Sequence, residues 1–360
     1  MTAYFILILL SVGIMQIYER AKDDPFNKNR KLIMDYCIIF TILSFVLFFG
    51  FRAYSVGTDT MNYLQRIFIK IDNIKFTFVE PLYLILNIVI AKLGGDYTSL
   101  LILLGFVMFI PLVISITKLS NKPSISMFLF ITLGMFCQSM NAMRQYIALV
   151  YILLGLTVLL KYKWGDFAFI GFVVFAILFH KTAIVSLLLI PLKYLKLNWK
   201  TLLAALVFMI VALLLAPYII KLFDSFMNTD YYNNYVDRGI GGSIIENVIT
   251  IIVVSAATIG MLIFKKLINR DDAKKYDFFV WMFVLFGMTK IISIFSIPLI
   301  DRVGIYFFIS IVLIAPIILK CLPEKLKTAT KAIMVVACSL FFIYLIQIRG
   351  AYGAYPYSFV

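Results

Sequence analysis

Residues 51–63 read Phe-Arg-Ala-Tyr-Ser-Val-Gly-Thr-Asp-Thr-Met-Asn-Tyr. One short loop therefore holds a cation (Arg52), a turn residue (Gly57), a carboxylate between two hydroxyls (Asp59), an amide (Asn62) and two tyrosines, Tyr54 and Tyr63. The planar fork of arginine donates two parallel hydrogen bonds and suits a phosphate. Asp59, Asn62 and Tyr63 suit the hydroxyls of a sugar. Gly57 lets the chain turn sharply, and Asp59 can then reach back toward Arg52 or toward a bound ligand.

Further groups of the same kind recur along the chain. Asn141, Arg144 and Gln145 fall together, as do His180 with Lys181 and Asp301 with Arg302. Any single arginine here has a plainer reading, as a helix-end ion pair or a side chain reaching lipid phosphate. Asp301 beside Arg302 makes that reading strongest there. His180 is the sole histidine, and an ordinary imidazole titrates close enough to neutrality to serve as a general base. Its plainer role is a polar helix breaker held by a backbone carbonyl. Glu80, followed by Pro81, reads either as a sugar or proton ligand or as a common helix start. The loop 224–243 is rich in Asn, Asp and Tyr. Tyr231, Tyr232 and Tyr235 can stack on sugar rings there, or form an interfacial aromatic belt.

The elements that must position these residues are membrane helices. The chain is 63% apolar with a mean hydropathy of +1.01, against ~45–50% apolar for soluble domains. Apolar runs of bilayer length, broken by charged loops, predict an all-α, polytopic helical bundle in a single transmembrane domain over residues 1–360. The runs do not alternate, which excludes a membrane barrel. The net charge of +15 gathers in alternate loops. That is the positive-inside pattern and argues against nucleic acid as a partner. Cys37, Cys137, Cys321 and Cys338 lie in or beside apolar runs as small hydrophobes. With no CxxC pair, a zinc site is not expected. The first residues lack a basic n-region and a cleavage site, so they read as a retained span.

Taken in order, the spans are 2–18, 32–51, 97–117, 124–140, 146–160, 166–179, 183–195, 202–220, 244–264, 276–297, 303–319 and 331–348. This is about twelve crossings with both termini outside. Residues 61–76 suit an interfacial amphipathic helix. Residues 78–93 are predicted to dip in and return, because a full crossing there would invert every later basic loop. The arms 166–179 and 183–195 are short and predict a broken hairpin with its tip at His180. Outer loops then lie at 52–96 and 219–243, and Arg52, Arg144, His180 and Arg302 converge on the outer face. Ionisable residues at that depth mark a pathway or a site.

Three stretches carry a family resemblance. Phe51-Arg52 with Gly57-Thr58-Asp59-Thr60 and Asn62-Tyr63 resembles the first signature of the EpsG/Wzy membrane polysaccharide polymerases. Asn141-Ala142-Met143-Arg144-Gln145-Tyr146-Ile147-Ala148 resembles their Asn-x-x-Arg-Gln-x-x-Ala segment. Phe179-His180-Lys181-Thr182-Ala183 resembles their Phe-His-x-[Ser/Thr]-Ala segment. The resemblance implies a glycosyltransferase-C-like bundle in the bacterial cytoplasmic membrane with its site facing outside. Donor and acceptor would be polyprenyl-diphosphate-linked oligosaccharides. A flippase and a chain-length regulator are the candidate partner proteins.

A diphosphate leaving group gathers negative charge as the glycosidic bond breaks, and a metal or arginines must stabilise it. The chain has no Asp-x-Asp motif. Asp23-Asp24 and Asp271-Asp272 lie in basic loops, where solvated helix-end charge is the plain reading. The expectation is therefore metal-independent transfer without a cofactor. Arg52, Arg144 and Arg302 form the phosphate clamp, and Asp59, Asn62, Tyr63, Glu80, Asn141, Gln145, Tyr231, Tyr232 and Tyr235 contact sugar. His180, Asp59 and Glu80 are the candidates for the base; Asp59 equally suits orienting Arg52. The rival readings are an O-antigen-type ligase, which uses similar parts, and a transporter or flippase of lipid-linked sugars. A transporter would need cations through the whole membrane depth, whereas only Lys290 lies clearly inside a span. A membrane acyltransferase is a further rival on the strength of the lone histidine.

Overall fold

The computed structural model describes residues 1–71, 79–224, 244–295 and 300–360. Among the described residues the chain is helical, and its one extended pairing is an antiparallel bridge between Arg52 and Phe359. Helices follow from the composition: where apolar runs leave no water to satisfy the backbone, each N–H must bond within its own segment. The longer helices are α1 (Thr2–Asp23), α2 (Arg30–Gly50), α3 (Pro81–Lys92), α4 (Tyr97–Leu119), α5 (Pro123–Thr132), α6 (Met143–Leu159), α7 (Gly165–Ile177), α8 (Trp199–Asp224), α9 (Ile244–Phe264), α10 (Arg270–Phe295), α11 (Ile311–Cys321) and α12 (Glu324–Ile343). Among the described residues six helices are long and apolar enough to cross a bilayer, and shorter apolar helices fill much of the rest.

The chain forms two compact units. One is Met1–Leu187 with Leu322–Val360, and the other is Leu188–Cys321. In the first, α1 packs on α2 and α5, α2 on α4, α4 on α6, and α6 on α7. Helix α6 is its central member, buried on most sides from Met143 to Leu159. Aromatic rings lock its neighbours. Phe45 stacks on Phe109 with ring centroids 5.0 Å apart, Phe49 meets the same ring edge-on at 5.5 Å, and Phe136 touches Phe45 and Phe109.

Helix α1 defines two ends of this unit. Near its start, the Tyr4 hydroxyl donates to the Ala354 carbonyl at 2.6 Å, so the C-terminal tail lies there. Near its finish, the Glu19 carboxylate accepts the Ser124 N–H at 2.8 Å, and Lys122 Nζ stands 3.4 Å from Asp23. The basic loops at 20–31 and 118–122 therefore share the end opposite the tail.

One expected span is modified. Residues 124–140 do not form one helix: α5 stops at Thr132, Gly134 adopts a left-handed φ of +80°, and a short helix resumes over Met135–Ser139. Residues 78–93 yield α3, whose 12 residues rise only ~18 Å against a hydrocarbon thickness of ~30 Å. The Leu82 N–H donates to the Leu178 carbonyl at 3.1 Å and ties the start of α3 to the end of α7. After α7 the chain tightens into a 3-10 segment, Lys181–Leu188, so both arms around His180 are short.

In the second unit, α9 packs on α10, and α10 on α11. Asp277 accepts the Leu197 N–H at 3.0 Å and Lys265 Nζ at 2.7 Å. Asp272 is 6% exposed and pairs with Lys320 at 2.7 Å. The solvated helix-end reading of Asp272 is thereby corrected: α11 brings Lys320 against it and closes off the water.

Candidate active site

The site is built around Glu80. Pro81 fixes the first turn of α3, and Glu80 precedes it with extended backbone and no capping bond from its own side chain. The carboxylate is thus free to face across the bundle. One oxygen pairs with Arg144 Nη1 at the start of α6. The other lies 2.9 Å from His180 Nδ1 at the end of α7. The side chains of Glu80, Arg144 and His180 are 9%, 17% and 25% exposed, so the cluster is enclosed but reachable. Burial alone would raise the Glu80 pKa. The His180 hydrogen bond and the Arg144 charge outweigh it and bring the pKa down to about 2. When Nδ1 donates to Glu80, Nε2 is left as the basic nitrogen of His180.

The signature loop lies at the same end. Gly57 has a φ of +98°, and a Cβ there would stand 2.6 Å from Thr60 Oγ1 and 2.9 Å from Asn141 Oδ1. Asn141 Oδ1 accepts the Asp59 backbone N–H at 3.2 Å. The other half of the same amide, Nδ2, donates to the Tyr352 carbonyl at 2.8 Å. Asn141 thus pins the loop to the C-terminal tail. The tail is bound along its length: Gly57 N–H donates to Gly353, Thr58 N–H to Tyr352, Ala53 N–H to Ser358, and Val360 N–H to Phe51.

The structure brings Tyr63, Glu80, Arg144 and His180 together, and joins Asp59 to Asn141. Arg144 lies 5.7 Å from the Tyr63 ring centroid. Gln145 is buried beside Arg144, and Asn62 is exposed. Arg52 is fully buried. It donates to the Phe49 carbonyl, lies 4.2 Å from the Phe49 ring centroid, and reaches Met143 Sδ at 3.5 Å. It makes no ion pair with Asp59 among the described residues. Arg302 belongs to the second unit and is exposed. Tyr231, Tyr232 and Tyr235 lie outside the described residues.

Two contributors were not singled out from the sequence as site residues. Tyr83 stands one turn after Glu80, with Arg144 5.8 Å from its ring centroid; the Glu80 i+3 spacing is the signal that marks it. The tail acts through its backbone, and only its turn-rich composition of Gly, Tyr and Pro hints at a non-helical role.

A buried carboxylate holding an imidazole and a guanidinium can in chemical terms supply a base, a group that orients it and a cation suited to phosphate. Among the described residues no group of three or more His, Cys, Asp and Glu side chains could hold a metal ion. The class is a polytopic helical membrane protein with an enzyme-like polar cluster. The chain belongs to the EpsG family, whose model matches residues 35–359, and EpsG proteins are Wzy-type polysaccharide polymerases. No curated protein matches the chain, and no solved structure does.

Proposed function

We propose that this protein joins polyprenyl-diphosphate-linked oligosaccharide repeat units on the outer face of the bacterial cytoplasmic membrane. The observation that carries this reading is Glu80 held between His180 and Arg144. His180 Nε2 takes the proton of the acceptor hydroxyl as its oxygen attacks the anomeric carbon. The bond from that carbon to the diphosphate oxygen breaks, and its electron pair leaves on the diphosphate. Arg144 stabilises that charge, so the transfer needs no metal. Asn141, Asp59, Asn62, Tyr63 and Gln145 surround the sugars. Arg52, enclosed as it is, holds the end of α2 and the loop that follows. Arg302 is assigned a second phosphate contact, which Arg302→Ala tests.

In this reading both units form a single transmembrane domain with about twelve crossings. Residues 52–96 and 219–243 are outer loops, and α3 is re-entrant. Labelling of a cysteine at Asp96 from the cytoplasm alone would overturn that placement.

The deciding experiment gives purified protein a lipid-diphosphate-linked repeat unit in detergent, with and without EDTA, beside Arg144→Lys and Arg144→Ala. The expected result is a ladder that survives EDTA, is absent in Arg144→Ala and is strongly reduced in Arg144→Lys, because a point charge lacks the fork. A ladder lost with EDTA keeps the polymerase and overturns the metal-independent step. Transfer of a single unit to a different acceptor points to a ligase.

A further inference from the structure

Arg144 has aromatic neighbours as well as Glu80. Its guanidinium lies 5.7 Å from the Tyr63 ring centroid and 5.8 Å from that of Tyr83, and the two rings are 5.8 Å apart at 59°. Tyr83 is 0% exposed. Neither its hydroxyl nor Arg144 Nε has a partner in good hydrogen-bond geometry, although the Asn87 side chain interacts with Tyr83 and that of Tyr63 with Arg144. A buried hydroxyl without a partner is uncommon in a folded protein and calls for an explanation. Asn87, one turn further along α3, gives its Nδ2 to the Tyr83 carbonyl at 2.7 Å, while its Oδ1 takes no hydrogen bond.

The Tyr83 hydroxyl and Arg144 Nε are donors without a well-formed hydrogen bond, in a cluster whose carboxylate is already paired. The ligand that matches them is rich in acceptor oxygens, as a diphosphate is. We propose that Tyr83 is a further catalytic residue, whose hydroxyl donates a hydrogen bond to a phosphate oxygen of the lipid-linked diphosphate bound at Arg144. The ring already lies against the guanidinium, so a phosphate that reaches one meets the other. Tyr83 keeps its proton throughout. The bond from the anomeric carbon to the diphosphate oxygen breaks, its electron pair stays on that oxygen, and the hydroxyl stabilises the charge as it grows. The inference rests on the reading of Arg144 as the diphosphate ligand.

Tyr83→Phe removes the one oxygen and keeps the ring. If the hydroxyl serves the ligand, polymerisation falls about 10²-fold, as when one oxyanion donor is lost. The melting temperature in detergent stays level or rises, because an unpartnered buried polar group has gone. Inhibition by inorganic pyrophosphate weakens in parallel. Full activity in Tyr83→Phe overturns the proposal. So does a joint fall in activity and melting temperature with unchanged pyrophosphate inhibition, since the hydroxyl would then serve the fold through Asn87. Arg144→Lys in the same assay separates the two levels. If it is impaired while Tyr83→Phe is not, only the Tyr83 assignment fails; if it is fully active, the site reading fails with it.

Discussion

Glu80 and His180 stand a hundred positions apart in the chain and meet through a 2.9 Å contact between a carboxylate oxygen and Nδ1. The same carboxylate binds Arg144 with its other oxygen. One acidic group therefore orients the imidazole and neutralises the guanidinium.

Glu80→Gln keeps the size of the side chain and removes its charge. Arg144 then loses its counter-ion, and the amide can present a donor to His180 and reverse the tautomer. The expected loss in turnover is about 10²–10⁴-fold, the range for disrupting a positioned acid–base pair. Initial rates of polymer formation measure it. A rate near wild type would remove Glu80 from the mechanism.

The folded pKa of Glu80 is depressed, from ~4.3 in an unfolded chain to about 2. Its contribution to stability is therefore complete above the unfolded value and is lost as pH falls through the folded one. Thermal unfolding from neutral pH down to about pH 5 is expected to show no loss due to Glu80. Below about pH 4.3 the wild type loses a stabilising component that Glu80→Gln never had. Activity should be lost in His180→Gln, which keeps a polar side chain but has no basic nitrogen. Turnover near wild type in that variant assigns the base elsewhere.

Gly57→Ala places a Cβ 2.6 Å from Thr60 Oγ1 and 2.9 Å from Asn141 Oδ1, on a backbone with φ +98°. The backbone term alone is about 1–2 kcal/mol, and the displaced Asn141 amide releases Asp59. Lower melting temperature and lower activity are expected together. Gly13→Ala is the control, because a Cβ at Gly13 meets nothing within 4 Å. Equal behaviour of the two variants would show that the loop does not depend on this turn.

Deleting residues 351–360 removes the acceptors for Ala53, Gly57 and Thr58 N–H and for Asn141 Nδ2. The signature loop is expected to loosen: a cysteine at Thr58 should label faster in the shortened chain, and polymerisation should drop. Unchanged labelling with full activity would reduce the tail to a passive end.

Much of this architecture is legible in the sequence. Apolar length and the absence of alternation predict membrane helices, because the requirement for internally paired backbone is local. The stretches before and after Glu80 and His180 also read as short and interrupted, and they form helices of 12 and 13 residues. Residue types in the loop 51–63 mark a polar end of the bundle for the same local reason. The partners of each charge are not legible in this way. Arg52 and Asp59 share a loop and invite pairing, yet Arg52 turns inward to Phe49 and Met143. Asp272 reads as solvated and is sealed by Lys320.

The sequence by itself determined the class of protein, the approximate extent of its helices and the residue types of its site, since these follow from hydrophobic length and local turn chemistry. Tertiary structure alone decided that Glu80 faces both Arg144 and His180, that Tyr83 lies under Arg144, and that the tail clasps the 52–60 loop through Asn141. Those contacts join residues from 61 to 211 positions apart. They depend on which helix faces turn toward one another, and packing of the whole bundle sets that.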